Sequence, residues 1–69
     1  MRIEFESKAE RNAFLARHGL SIAGSTARRP NVRDGSGRYV GYITVEQESR
    51  QAVEITNAEL AQAIKRLAA

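Results

Sequence analysis

The chain contains no cysteine and a single histidine among its 69 residues. The lack of cysteine excludes disulfide bonds and thiolate metal sites. One imidazole is too few for a histidine-based metal site, and the carboxylates do not have the spacing of a calcium-binding loop. We therefore expect no metal and no other cofactor, so the fold depends on its hydrophobic core or on a partner.

Long apolar runs are also lacking. A membrane-spanning helix needs about 20 consecutive apolar residues, and a secretory signal peptide needs an apolar segment close to its start. The chain instead begins Met1-Arg2-Ile3-Glu4, and its apolar runs span only a few residues. We expect no membrane contact and a cytoplasmic protein.

Residues that commonly carry catalysis are scarce. His18 lies near the predicted C-terminus of a helix, where the helix dipole favours a cationic side chain for structural reasons. No serine, histidine and acid grouping follows from the spacing. Gly35, Gly37 and Gly41 miss the dinucleotide-binding fingerprint and lead into a strand. The sequence therefore predicts a protein that is not an enzyme, with no evident small-molecule substrate.

The composition is that of one small globular domain, residues 1–69, with 42% hydrophobic and 28% charged residues. The formal net charge is +3, and residues 28–38 contain four arginines and one aspartate, which equals that whole excess. Such a basic segment attracts polyanions. A GC-rich bacterial or phage genome, which favours arginine and alanine, also accounts for the general composition, and both interpretations stay open.

The first third of the chain predicts a strand followed by a helix. Ile3 and Phe5 alternate with polar residues over 2–6, which is typical of a half-buried strand. Ser7 and Glu10 form a capping-box pattern, and Gly19 supplies a C-terminal stop, so we expect a helix from Ser7 to about residue 18.

This helix is predicted to pack on a sheet with one face and to carry Phe14 on another. The face expected to pack on a sheet consists of Ala9, Ala13, Ala16 and Leu15. Phe14 points away from it. A loop or the adjacent strand could cover Phe14, or it could be an exposed anchor for another chain.

The remainder predicts a hairpin and a closing helix. Residues 20–27 are weakly patterned and could hold a short strand near 20–23. Pro30 makes the strand 29–33 an edge strand or one that starts late. The Asp34–Gly37 turn joins it to a strand from residue 38 to about 47. A turn at 48–51, a strand at 52–55 and a helix with a capping box from Thr56 to Glu59 follow.

These elements predict an α+β fold, a small two-layer sandwich with an antiparallel three- to four-stranded sheet and two helices, in the order β-α-β-β-β-α with one uncertain extra strand. The predicted core is Ile3, Phe5, Leu15, Leu20, Ile22, Val40, Ile43, Val45, Val53, Ile55, Leu60, Ile64 and Leu67.

The arginine-rich hairpin is the candidate binding site. Its predicted contact residues are Arg28, Arg29, Arg33, Arg38 and Tyr42. A two-stranded ribbon fits the major groove or follows the phosphate backbone, and an exposed tyrosine can stack on a base. Because Glu4, Glu6 and Glu54 would share the open sheet face, we expect duplex nucleic acid to meet the rim of the hairpin. The function predicted is a small non-enzymatic bacterial or phage module that binds nucleic acid.

The alternative is a protein–protein interaction module. The predicted core is thin for a chain of this size, and dimerisation would add to it. Phe14, an edge strand and the tyrosine face are its candidate contacts. Such a module would form a homodimer, or act as an adaptor or as a phage or mobile-element inhibitor of a host protein.

Overall fold

The computed structural model describes residues 1–24, 29–45 and 50–68, which form one antiparallel sheet and two helices. The elements are β1 (Arg2–Phe5), α1 (Lys8–Arg17), β2 (Ser21–Ala23), β3 (Asn31–Arg33), β4 (Tyr39–Val45), β5 (Gln51–Ile55) and α2 (Ala58–Ala68). The strand order is β1-β5-β4-β3-β2. The predicted α+β class is confirmed. The weakly patterned segment forms β2, which is the uncertain extra strand of the prediction, and with it the sheet has five strands where three to four were predicted.

The helices cover one face of this sheet. Ile3, Val53 and Ile43 are cross-strand neighbours, and residues in such a row share a face. Val53 and Ile43 are buried together with Leu15 of α1 and Ile64 of α2. The opposite, open face therefore carries the alternate residues. Neither helix in the described ranges is long and apolar enough to cross a membrane.

The ends of α1 follow the predicted signals. The Ser7 hydroxyl accepts a hydrogen bond from the amide of Glu10 at 3.2 Å, and the Glu10 carboxylate accepts one from the amide of Glu6. At the other end, Gly19 has a φ of 66°, and the amide of Leu20 donates to the carbonyl of Leu15 at 2.8 Å. This is a Schellman motif, which requires the left-handed conformation that glycine adopts most easily.

The buried face of α1 is not the one predicted. Ala9, Ala13 and Ala16 are exposed. The buried residues are Arg11 and Leu15, and Phe14 and His18 beside them are half-buried. Residues 11, 14, 15 and 18 have the spacing of one helical face. The prediction failed because it assigned the packing face to the small alanines and did not consider the charged Arg11 as a buried residue.

Arg11 lies between α1 and β5 with only 6% of its surface exposed. Its Nη1 donates to Oε1 of Gln51 at 2.6 Å, and its Nη2 donates to Oδ1 of Asn12 at 2.9 Å. Within the described ranges, no carboxylate forms an ion pair with it. Burial lowers the pKa of Arg11 because it disfavours the charged form. Neutral side-chain oxygens therefore satisfy this buried cation.

The N-terminus of α2 is capped one residue later than predicted. The Asn57 side chain accepts from the amide of Leu60 at 2.8 Å, whereas the Thr56 hydroxyl donates to the carbonyl of Val40. The amides of Thr56 and Asn57 also donate to Val40. An irregularity of register in the β3–β4 pair, where Val32 faces Gly41 and Arg33 faces Tyr39, leaves Val40 as the extra residue. Thr56 is thus engaged with β4, so the cap falls to Asn57.

Three residues of the predicted core lie at the surface. Ile22, Val45 and Leu67 are exposed, because they lie on a three-residue edge strand, at the end of β4 and in the last turn of α2. Among the described residues, two buried hydrophobic ones were missed, Val32 and Ala52. The start of β3 directly after Pro30 agrees with the late start predicted there, although β3 is internal. The turn at 48–51 and the strand end near 47 involve residues 46–49, which lie outside the described residues.

Candidate nucleic-acid interface

The hairpin tip is organised around the carboxylate of Asp34. Its Oδ1 accepts hydrogen bonds from the amide and hydroxyl of Ser36, at 2.9 and 2.6 Å, and from the amide of Arg38 at 3.0 Å. Gly37, with a φ of 84°, closes the turn by donating to the carbonyl of Asp34 at 2.9 Å. The sequence Asp-Gly-Ser-Gly suits this turn, since aspartate accepts from nearby amides and glycine adopts a positive φ.

These hydrogen bonds stabilise the ionised form of the Asp34 carboxyl. The Ser36 hydroxyl, followed by the amide of Arg38, lowers the pKa of Asp34 from 3.8 to about 2. Hydrogen bonds to the charged form of a carboxyl have this effect. Asp34 therefore stays ionised over the whole neutral pH range, and its carboxylate accepts hydrogen bonds from groups of the turn itself.

Two arginines border the tip. The Nε of Arg38 donates to Oδ2 of Asp34 at 3.2 Å, and the Arg38 side chain is still 63% exposed. The Nη1 of Arg33 donates to the carbonyl of Gly37 at 2.9 Å. A guanidinium has five N–H donors. Both side chains therefore retain donors after making these contacts.

Arg29 stands on the open face of the sheet. Its guanidinium carbon lies 5.5 Å from the centre of the Tyr42 ring, within the range of a cation–π contact. Among the described residues, no side chain or carbonyl accepts a hydrogen bond from Arg29. The contact therefore orients the guanidinium and leaves its N–H groups available. It also covers the half-buried Tyr42 ring, so a base could stack there only by displacing Arg29.

The structure brings together part of the predicted set. Asn31 pairs with Tyr42, so Arg33, two residues on in the same strand, also belongs to the open face. Arg29 and Arg33 thus share this face, and Arg38 lies at its end. Arg28 belongs to residues 25–28, outside the described residues.

The acidic residues of the open face lie on its other side. Glu54 pairs with Arg2 across β1 and with Tyr42 across β4. Its carboxylate is 3.5 Å from the amino group of Met1, and Glu4 is 3.4 Å from Arg2. Glu6 lies beyond the end of β1. The open face therefore has partly neutralised acids at β1 and β5, and at the β3 side it has Arg29 and Arg33, which form no ion pair with a carboxylate of the described residues.

Tyr39 is the more accessible aromatic residue of the hairpin. It is 42% exposed and pairs with Arg33, whereas Tyr42 is half-buried. Tyr42, and not Tyr39, was predicted as the aromatic contact residue. The position of Tyr39 at the first residue of β4, close to the turn, is the signal that distinguishes them.

Phe14 is placed away from the hairpin. Its ring centre lies 5.2 Å from that of Phe5 and 4.7 Å from that of His18. Strand β1 thus covers one side of the ring. Another part of its surface lines an apolar groove between the two helices.

Within the described ranges, no group of three or more histidine and acidic side chains is placed to hold a metal ion. Comparison of the chain with protein-family models, with curated proteins and with solved structures gives no match.

Proposed function

We propose that the protein binds duplex nucleic acid through phosphate contacts made by Arg29, Arg33 and Arg38. The observation that carries the proposal is the location of all three arginines on one hairpin. Arg29 and Arg33 lie on one face of the hairpin, and Arg38 lies at its tip beside them. Arginine donates to phosphate oxygens with planar, multiple hydrogen bonds, and such contacts position a protein on a duplex without reading its sequence.

The charge balance of the hairpin supports this function. Asp34 is the single acid between residues 29 and 38, and its oxygens accept from Ser36 and Arg38 within the turn. The potential outside the tip is therefore set by three guanidinium groups and one partly enclosed carboxylate. The acids of the open face lie at β1 and β5, so a phosphate backbone approaching along β3 avoids them.

The first test is a titration of a generic DNA duplex and a generic RNA duplex at increasing salt concentration. Each phosphate contact on B-DNA contributes about −0.9 to the slope of log affinity against log salt. Three arginines predict a slope of about −3, and a contribution from Arg28 would bring it nearer to −4. An absence of binding to both duplexes at low salt overturns the proposal.

A matched pair of variants tests the surface. The double variant Arg29→Glu, Arg33→Glu should abolish binding, and Arg29→Gln, Arg33→Gln should make the slope less steep by about 2. The control, Arg17→Glu with Lys65→Glu, changes the net charge by the same amount on the helical side. Circular dichroism checks that each variant is folded. Equal losses in the two charge-reversal doubles would mean that net charge and not the hairpin controls binding.

A further inference from the structure

An apolar groove of about 600 Å³ lies between the two helices. Its apolar lining consists of Met1, Ile3, Phe14, Ile64 and Leu67. Phe14 belongs to α1, Ile64 and Leu67 belong to α2, and Ile3 is a residue of β1. The groove is open to solvent, since Leu67 is 75% exposed at its edge. Its volume lies in the range of ligand-binding sites, about 300–1,000 Å³.

The groove has basic edges on both sides. Arg17 lies in the last turn of α1, and Lys65 lies in the last turn of α2. None of the described residues that line the groove is acidic. Cations at helix C-termini are favoured by the helix dipole, and here they also place positive charge on both margins of one apolar surface.

We propose that this groove binds an acidic amphipathic helix of another protein. An apolar groove between two helices accepts the apolar face of a third helix, with anchors at positions i, i+3 or i+4, and i+7. Acidic residues flanking those anchors would face Arg17 on one side and Lys65 on the other. Charge complementarity of this kind sets the choice of partner and its orientation.

Two other occupants fit less well. In a second copy of this chain, docking groove to groove would bring Arg17 and Lys65 against their own counterparts, and like charges at an interface are unfavourable. An anionic membrane would find the apolar surface recessed between two helices, whereas a membrane-surface helix inserts an outward-facing apolar side into the bilayer.

The proposal is tested with a fluorescein-labelled helical peptide that carries leucines at helical spacing and glutamates at its other positions. Fluorescence anisotropy should show saturable binding. A peptide with lysines in place of the glutamates, and one with serines in place of the leucines, should bind at least about tenfold more weakly. Equal affinity for the acidic and basic peptides overturns the proposal.

Variants of the protein locate the binding site. Leu67→Asp should weaken the acidic peptide about tenfold or more, and the high exposure of Leu67 keeps this change compatible with folding. Lys65→Glu should also weaken it. The matched control is Arg66→Glu, which makes the same change of charge at the next residue, one that does not line the groove. Unchanged binding by Leu67→Asp, or equal losses at residues 65 and 66, would refute the groove as the site.

Three further measurements separate binding in the groove from binding at the hairpin, dimerisation and membrane attachment. The hairpin double variant Arg29→Glu, Arg33→Glu should retain peptide affinity, so that failure of nucleic-acid binding and failure of peptide binding are separate results. Loss of peptide binding in that variant would place the peptide on the arginines and overturn the proposal. So would a dimer in sedimentation that Leu67→Asp dissociates, or a preference for anionic phospholipid vesicles over the peptide.

Discussion

The tip of the β3–β4 hairpin and the interface between α1 and β5 both hold an arginine by side-chain hydrogen bonds, but in opposite environments. At the tip, Arg38 is exposed and its partner Asp34 is four residues away. At the interface, Arg11 is buried and its partner Gln51 is forty residues away. An exposed group that loses its partner can bond to water, whereas a buried one cannot. Removing one partner of the contact should therefore cost little stability at the tip and much more at the interface.

The glycines of β4 and its turn show the same contrast. Gly37 is needed for its positive φ, and a β-carbon there would have open space around it. Gly41 has no such φ, but a β-carbon there would overlap the carbonyl oxygen of Glu54 in the neighbouring strand. One glycine satisfies a local conformational requirement, and the other permits close contact of two strands.

Gly41→Ala is expected to give the largest effect. The added methyl group meets backbone and not a movable side chain, so β4 and β5 must separate in the centre of the sheet. We expect a loss of about 3 kcal/mol or more in the free energy of unfolding, which is comparable to the total stability of many domains of this size. Urea denaturation followed by circular dichroism measures it.

Gly37→Ala is the matched control for this change. It places a methyl group in open space but at a positive φ, which costs about 1–2 kcal/mol. The order of the two alanine variants is therefore fixed by the structure. If Gly37→Ala were as destabilising as Gly41→Ala, the distinction between the tip and the sheet interior would be wrong.

The second prediction concerns the buried contact of Arg11 with Gln51. Gln51→Met removes the oxygen that lies closest to the guanidinium, and we expect it to destabilise the fold by about 2 kcal/mol. Arg11→Met replaces the buried cation by an apolar chain and should be nearly neutral, since buried ionic groups are often replaceable by apolar residues of similar volume.

A double variant, Arg11→Met with Gln51→Met, separates the energy of the contact between these two residues from any other role of Gln51. In the Arg11→Met background, Gln51→Met should cost less by about 1–2 kcal/mol, because no guanidinium is left without its acceptor. Urea denaturation of the four proteins gives this coupling energy. Strictly additive effects would show that Arg11 does not depend on Gln51.

The contrast also accounts for which parts of the fold were predictable. The turn at Asp34, the cap at Ser7 and the stop at Gly19 depend on residues within a few positions of each other, and these were predicted correctly. The prediction of the buried face of α1 was wrong because that face depends on Gln51, a distant residue whose side-chain oxygen accepts a hydrogen bond from Arg11. Residues 11, 14, 15 and 18 have the spacing of one helical face in the sequence. Because Arg11 and His18 are polar, that face does not have the composition of a buried one.

Part of the candidate interface was also predictable from the sequence, and part of it was not. The sequence located Arg29, Arg33 and Arg38 on one hairpin, since that follows from chain proximity. It did not predict that Arg29 covers Tyr42 or that Tyr39 is the more exposed aromatic, because both depend on the register between β3 and β4. That register is shifted at Val40, which also bonds to the start of α2, and no local pattern indicates such a shift.

The smallest expected effect is a dependence of stability on pH that originates at Asp34. The pKa of this half-buried carboxyl is lowered to about 2 in the folded protein from 3.8, so its ionised form favours the folded state. That contribution is complete above about pH 4 and is lost as the pH falls through about 2. Asp34→Asn should therefore lower the thermal midpoint slightly at pH 7, and the difference from the unmodified protein should vanish near pH 2. Comparing the two proteins cancels the titration of the other carboxylates, and a constant difference across this range would mean that Asp34 does not stabilise the turn through its charge.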